Sequence, residues 1–527
     1  MILPRDKNKL YDAVFEQLFN CTRTMDQRAA SYTRREAIYK RGSAGAFRGR
    51  LNKAAPVINR QAALMFVPHM VRFFPVVPPE EMNQTVFDRA DAVSDAVRLS
   101  WDELELDEIF PMGLRQALIN CNAIFSVQPQ VKTNWDIDLR VDLIHPRNFG
   151  VARETGSGSW DLNRQQAMAV RSYHTLEELD RWLAYRPDAS EIINQLEYAR
   201  VDGVSGFSRI TGMAAGSAQF QARPELWPAF SGMEEEDRPR IAAVFYTLRV
   251  FDDVAGDWRV FSISGSIVLR DRAGSQMGVP RLLPYVNLCP DKNPESFWGE
   301  SLIENISPLQ EWYLMRMEGM DEKFRKRLRP PTAAIGLGKG FEETIAQLSR
   351  AGSRIAVPNQ NAKIQQFPPE IAQEDFEMMQ VIATQLNEQG QLPPVMRGEQ
   401  PKGVRGEAVF NKMTEFASGE ILQKSLVVEG AARKIANLIF QNLRRYFTGK
   451  LWDSKNQQMF LMAEFPDDVT MKVDGHSSSP ILMENHREEA ERMLKYNLIT
   501  PSRAVRLVAP AYETGILHDL QKIEDLQ

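Results

Sequence analysis

Two helical patterns of similar length, set on either side of a small mixed segment between Ser307 and Gly406, constrain this chain more than anything else in it. Ser307, Pro308 and Gln310 read as an N-cap, a proline at the first helical position and a capping-box partner. Pro330 and Pro331 end the pattern, which leaves roughly 22 residues and about 33 Å of helix at 1.5 Å per residue. Leu309, Tyr313, Met317, Met320, Phe324 and Leu328 recur at three- and four-residue steps and line one face. A second helix opens after Pro368 and Pro369, with Glu370, Glu374 and Asp375 where carboxylates suit the positive end of the dipole. Phe376, Met379, Ala383 and Leu386 form its stripe, and Gly390 with Leu392-Pro393-Pro394 closes it after a little over about 20 residues. Both stripes predict packing of one helix on the other, or on copies from neighbouring subunits.

Between the helices, Thr332 to Ile335, Arg354 to Val357 and Lys363 to Phe367 read as short strands, and Glu342 to Ser349 as a short helix. A module this small buries too little surface to stand alone, so sharing edges with identical neighbours would stabilise it. Lys323, Arg325, Lys326, Arg327 and Arg329 crowd the end of the first helix, where cations complement the dipole. They read either as a solvated or salt-bridged rim or as a basic ring. After the second helix, Pro393 to Gly406 carries Arg397, Lys402 and Arg405 against Glu399 alone, among three glycines. That segment reads as a cationic loop able to touch nucleic acid, or as an ordinary exposed connection.

Elsewhere the pattern is α+β. Leu10 to Lys40, Leu51 to Met70, Thr85 to Ser100 and Leu104 to Asn120 are helical in period, and Ala123 to Val151 alternates as strands do. Gly156-Ser157-Gly158-Ser159 marks an exposed turn, and Thr175 to Ala184 and Ala189 to Arg200 predict short helices. Gly203 to Asp237 reads as a long surface insertion. Ile241 to Phe251 and Trp258 to Leu269 predict an antiparallel pair. Glu407 to Phe447 is one helical pattern of about 40 residues, roughly 60 Å, with Gly419 and Gly430 as places for it to bend. Strands near Met459 to Glu464 and Thr470 to Val473 precede helices at Ile481 to Tyr496 and Pro501 to Leu507.

Several of these segments, taken in order, resemble the portal proteins, or head-to-tail connectors, of tailed bacteriophages. Phe297-Trp298-Gly299-Glu300-Ser301, Ser307-Pro308-Leu309-Gln310 and the double proline are similar to the start and end of the portal stem. Asn59-Arg60-Gln61-Ala62-Ala63, with Phe66-Val67-Pro68 and Arg72-Phe73-Phe74, resembles an early portal helix and the segment after it. Val141 to Phe149 resembles a strand and Pro, Asn-Phe element of the wing, and Asn497 to Arg503 the link between late helices. The resemblance implies a portal fold of a wing region (1–300), first stem helix (301–331), clip (332–368), second stem helix (369–392), tunnel loop (393–406), long kinked wing helix (407–450) and C-terminal wing and crown (451–527).

It also implies a ring, twelvefold in the mature family form, at one capsid vertex, contacting major capsid and scaffolding proteins. The clip would dock terminase and head-to-tail adaptor or tail proteins, while double-stranded DNA passes through the bore during packaging and ejection. Arg397, Lys402 and Arg405 would face that DNA. The chain would be made in the bacterial host cytoplasm and end in the virion, and its size hints at a short-tailed virus.

Charge fits a conduit better than a gripper. Sixty-four Lys plus Arg stand against 69 Asp plus Glu, a formal charge of −5. A duplex carries about one charge per 1.7 Å of axis, so a ring of basic subunits would hold many phosphates at once and stall movement. A hydrophobic content of 43% and a charged content of 25% are globular values. Cys21, Cys121 and Cys289 lie far apart and read as free thiols in a reducing compartment. The N-terminus lacks a signal-peptide pattern, and Ala62 to Val77 is too short and too interrupted to span a bilayer.

No catalytic residue, metal site or cofactor is predicted. Gly336-Leu337-Gly338-Lys339-Gly340 lacks the GxxxxGK[ST] spacing of a phosphate loop. Asp136 and Asp138 share a strand face and suit a solvated edge better than a metal, and His145 and His486 have no matching ligand partner. The alternatives are a structural scaffold or adaptor that no DNA traverses, and a nucleotide-binding enzyme resting on the glycine turn alone.

Overall fold

The computed structural model describes residues 3–4, 6–42, 52–66, 71, 73–78, 80, 84–131, 137–175, 189, 241–264, 267–276, 278–328, 332–335, 363–366, 370, 372–390, 419–453, 457–473, 491–496, 501 and 504. In chain order the elements are α1 (Lys7–Thr22), α2 (Met25–Arg41), α3 (Ala54–Met65), β1 (Phe73–Val76), α4 (Gln84–Glu103), α5 (Leu106–Asn120), β2 (Ala123–Val131), β3 (Ile137–Ile144), β4 (Phe149–Val151) and β5 (Ala167–Thr175). Then come β6 (Ile241–Asp252), β7 (Asp257–Ser264), β8 (Ile267–Ala273), β9 (Tyr285–Leu288), α6 (Leu302–Leu328), β10 (Thr332–Ile335), β11 (Lys363–Gln366), α7 (Gln373–Gln389), α8 (Gly419–Tyr446), β12 (Lys450–Asp453), β13 (Gln458–Leu461) and β14 (Thr470–Val473). The class is α+β, as the periodicities predict. The chain divides into two units, one of Met1–Thr33, Ala62–Ser301 and Thr414–Gln527, the other of Arg34–Gln61 and Leu302–Met413.

The first unit is built on an antiparallel sheet of order β4-β5-β6-β7-β8. Strand alternation divides its side chains between two cores. Ala167, Ala169, Leu248, Val250, Phe261 and Ile263 face α1, which supplies Leu10, Val14, Leu18 and Cys21, with Met25 at the start of α2. Met168 and Trp258 point the other way and join Ile124, Phe149, Val151, Tyr285 and Phe297. Asp6 caps α1 by accepting the Asn8 N–H at 3.0 Å. A three-stranded sheet, β3-β2-β9, carries a second cluster of rings, with Phe110 and Phe125 stacked 5.3 Å apart and Trp101 5.9 Å from Phe110. Trp101 Nε1 donates to Asp107 at 2.8 Å, which satisfies the buried indole.

Helix α8 buries Val428, Ala431, Ala432, Ile435, Ala436, Ile439 and Phe440 in the same unit. Its Lys424 ammonium, almost fully buried, sits 2.7 Å from Asp291. Two small ribbons complete the unit: β12 with β13, and β1 with β14, which pairs Phe73 with Val473.

Several expectations need correction. Leu10 to Lys40 is helical, as its period predicts, but in two helices that meet at Arg23 and Thr24. Trp258 to Leu269 is two strands, β7 and β8, although the β6–β7 hairpin closes on Asp252 opposite Asp257 as predicted. Thr175 ends a strand rather than starting a helix. The glycine turn is only partly exposed: Ser159 is buried, and its carbonyl accepts the Gln165 side-chain N–H at 2.7 Å. Gly156 and Gly158 take φ of 104° and 77°, which suits glycine there. The 407–418 part of the long helix, the 176–188 and 190–200 segments, the surface insertion, Gly336 to Gly340, and the Arg354–Val357 and Glu342–Ser349 elements lie outside the described residues. So do Asn497 to Thr500, Ser502 and Arg503, Asp136, His486 and most of the late helices.

Candidate functional site: the helical hairpin and its charged end

The second unit centres on α6 and α7. Strands β10 and β11 pair antiparallel between them, Thr332 opposite Gln366, so α7 returns alongside α6. The Lys323 ammonium, late in α6, meets the Asp375 carboxylate, early in α7, at 2.6 Å. That contact fixes the helices as an antiparallel hairpin.

Helix α6 starts earlier than its sequence suggests. It begins at Leu302 and runs 27 residues, so Ser307 and Pro308 lie inside it and not at its start. Proline has no N–H for the carbonyl of Glu304, four residues back. The Ser307 hydroxyl donates to that carbonyl instead, at 3.3 Å. Gln310 is no capping-box partner either: it is buried, and its Oε1 accepts the Lys53 N–H at 3.1 Å. Helix α7 is shorter than expected, 17 residues from Gln373 to the cap at Gly390.

The base of the hairpin is held by the end of α2 and the start of α3. Arg35 reaches Glu304 at 2.6 Å and Arg34 reaches Glu311 at 3.3 Å. Asn52 accepts the N–H groups of Ala54 and Ala55 at 3.0 and 3.1 Å and so caps α3. Gly390 packs where a Cβ would lie 2.3 Å from Val57, so the helix end needs glycine for close approach.

Burial follows this base. Tyr313, Met320 and Leu386 of the predicted stripes are buried, and Leu309, Met317 and Met379 are half-buried. Phe324, Leu328 and Phe376 are exposed in the single chain, so the α6–α7 pairing does not cover them, and Leu328 is 83% exposed. Beyond Met320 α6 buries no side chain among the described residues. Sequence periodicity missed the buried Leu314 and Ile382, and also the exposed Trp312, Met315, Met378 and Val381. Pattern alone finds a face without saying how much of it the same chain can cover.

The basic end is largely paired within the chain. Besides Lys323 with Asp375, Arg325 lies 2.8 Å from Asp321 and Lys326 2.6 Å from Glu322, both at four-residue helical spacing. The hydrogen bonds from Lys323 and Lys326 hold Asp375 and Glu322 below the usual carboxylate range. Arg327 is exposed. Arg329 and the loop residues Arg397, Lys402 and Arg405 lie outside the described residues.

Of the other sequence candidates, His145 caps a short turn. Its Nδ1 accepts the Arg147 N–H at 3.1 Å, and its ring stands edge-on to Tyr32. Asp138 is exposed on β3, and among the described residues no group of three or more His, Cys, Asp or Glu could hold a metal. The three cysteines are free and buried, and burial pushes the Cys289 thiol up to about 12. Among the described residues no helix is long and apolar enough to cross a membrane.

No protein-family model and no curated protein matches the sequence. Two solved chains of gene transfer agent particles are similar in structure. One is from the virion of a native particle, at 11% identity and a TM-score of 0.41, covering 92% of this chain and 93% of that one. The other is from the neck of an empty particle computed with C6 symmetry, at 11% identity and 0.42, with the same coverage. Likeness this distant does not say what the present chain does.

Proposed function

We propose that the chain is a portal subunit, copies of which close into a ring at one capsid vertex with their α6–α7 hairpins side by side around an open axis. The observation that carries this reading is the exposed apolar surface along the hairpin. Met315, Phe324, Leu328, Phe376, Met378 and Val381 are exposed on two paired helices, which among the described residues are held by α2 and α3 at their base. Exposed apolar groups concentrated in this way favour association. Heterologous contacts between identical subunits close into rings when the rotation permits.

The order of sequence segments supports the same reading, and so does the net charge of −5, which suits passage of DNA better than its capture. The β10–β11 end would dock terminase and later the adaptor or tail proteins. Arg397, Lys402 and Arg405 would face the double-stranded DNA. The ring would be twelvefold and would itself perform no catalysis.

Negative-stain images of the purified chain test the proposal: rings with a central hole are expected. Monomers or compact dimers at every concentration would refute it. Changing Arg397, Lys402 and Arg405 together to alanine should leave rings intact and impair DNA packaging or retention. Full-length packaging and normal retention in that variant would remove the loop assignment.

A further inference from the structure

The first unit contains a cleft of about 190 Å³ between the turn at Trp160, strand β9, the loop after Cys289 and helix α8. Its floor is apolar, with Leu162, Leu283 and Phe297. Among the described residues three cations line it, Arg281, Lys292 and Lys434, and one carboxylate, Asp161. That carboxylate is already engaged. One oxygen accepts the Asn163 N–H at 3.1 Å, and the other lies 3.8 Å from Arg164. The cleft is therefore left with surplus positive charge.

Two further features point to a ligand. Arg281 sits in left-handed backbone, at φ 61°, held there by its N–H donating to Asp257 at 2.8 Å. Such a conformation is unfavourable for a large side chain and concentrates at binding sites. The Lys292 ammonium lies 5.3 Å from the centre of the Trp160 ring, so charge and an exposed aromatic face meet at the mouth. Loss of hydration holds the Lys434 ammonium below the usual lysine range, although much of its side chain reaches solvent. Asp161 opposes that shift, while Lys292 and Arg433 add to it. An anion among these groups would offset the crowding of like charge.

We propose that this cleft binds a compact organic anion, a phosphate monoester carrying one ring. Its phosphate would lie between Lys292 and Lys434, and its ring would lie against Trp160 and the apolar floor. The volume is below the roughly 300 Å³ at which drug-sized sites begin, which favours a single ring. The inference does not depend on ring assembly, since every residue it uses belongs to one unit of one chain.

A fluorine NMR titration of the full chain with 4-fluorophenyl phosphate tests it. Saturable binding is expected, with competition by inorganic phosphate. 4-Fluorophenol, which has the ring without the phosphate, should bind at least about tenfold more weakly. The double variant K292Q/K434Q should lose about tenfold or more in affinity, whereas R272Q, an exposed cation on β8, should match wild type. Absence of saturable binding to wild type, or equal affinity in wild type and K292Q/K434Q, overturns the proposal. Should the double variant fail to fold, W160A supplies the same test without changing charge: undiminished affinity in it is equally fatal.

Discussion

Replacing Met315 and Leu328 together with alanine separates folding from assembly. In the single chain these side chains are 69% and 83% exposed, so they contribute little to its stability. Alanine also has the highest helix propensity, so urea denaturation of the variant should fall within about 0.5 kcal/mol of wild type. In the proposed ring the same side chains would be buried against a neighbour. Full burial of a leucine or methionine is worth about 1.5–3 kcal/mol. Scaled to the exposed fractions, and allowing for what alanine retains, the pair should contribute roughly 2–4 kcal/mol per subunit contact. That corresponds to about a 30- to 1000-fold weaker association at each contact. If wild type forms the proposed ring, sedimentation velocity over a concentration series should show the variant as monomer at concentrations where wild type is assembled. Rings forming at the wild-type concentration would refute the claim that these exposed side chains form the assembly surface.

Asp375→Asn removes the carboxylate that joins α7 to Lys323. Because that carboxyl is held below its usual value, its stabilising effect is fully present above the ordinary carboxylate pKa and is lost as pH falls through the folded-state value. Thermal melts should therefore separate wild type from D375N at neutral pH and converge in acid. Lys424→Ala leaves Asp291 without its buried partner and should cost about 3 kcal/mol in urea denaturation. Gly430→Ala lies within α8 with nothing near the added methyl, so it should stabilise by about 1 kcal/mol. A destabilised G430A would mean that α8 needs its glycine.

The hairpin was legible because its signals are local: apolar steps of three and four, paired prolines at its breaks, and acids at the start of α7. Its first boundary was not, since Ser-Pro reads identically at an N-cap and within a helix. What distinguishes the two is the Ser307 hydroxyl bond to Glu304, a three-dimensional fact. Strands β1, β5 and β12 escaped notice for a related reason. β1 and β5 depend on remote partners, as Phe73 does on Val473, while β12 pairs locally with β13 but, like Phe73–Val76, is too short a run to carry periodicity of its own. The cleft around Lys434 draws on residues from Trp160 to Leu438, so no motif could mark it. The apolar stripes showed which side chains could pack, while the partial cover at the base decided which of them do.

The pairing of β1 with β14 joins positions some 400 residues apart. At ribosomal rates of about 5–20 residues per second, the later strand emerges roughly 20–80 s after the earlier one. Until then Phe73 to Val76 wait with an open edge, and a chain cut short by premature termination never closes the ribbon. Such a fragment would leave that edge available to chaperones or proteases, which would help keep defective copies out of any assembly that counts on every member being whole.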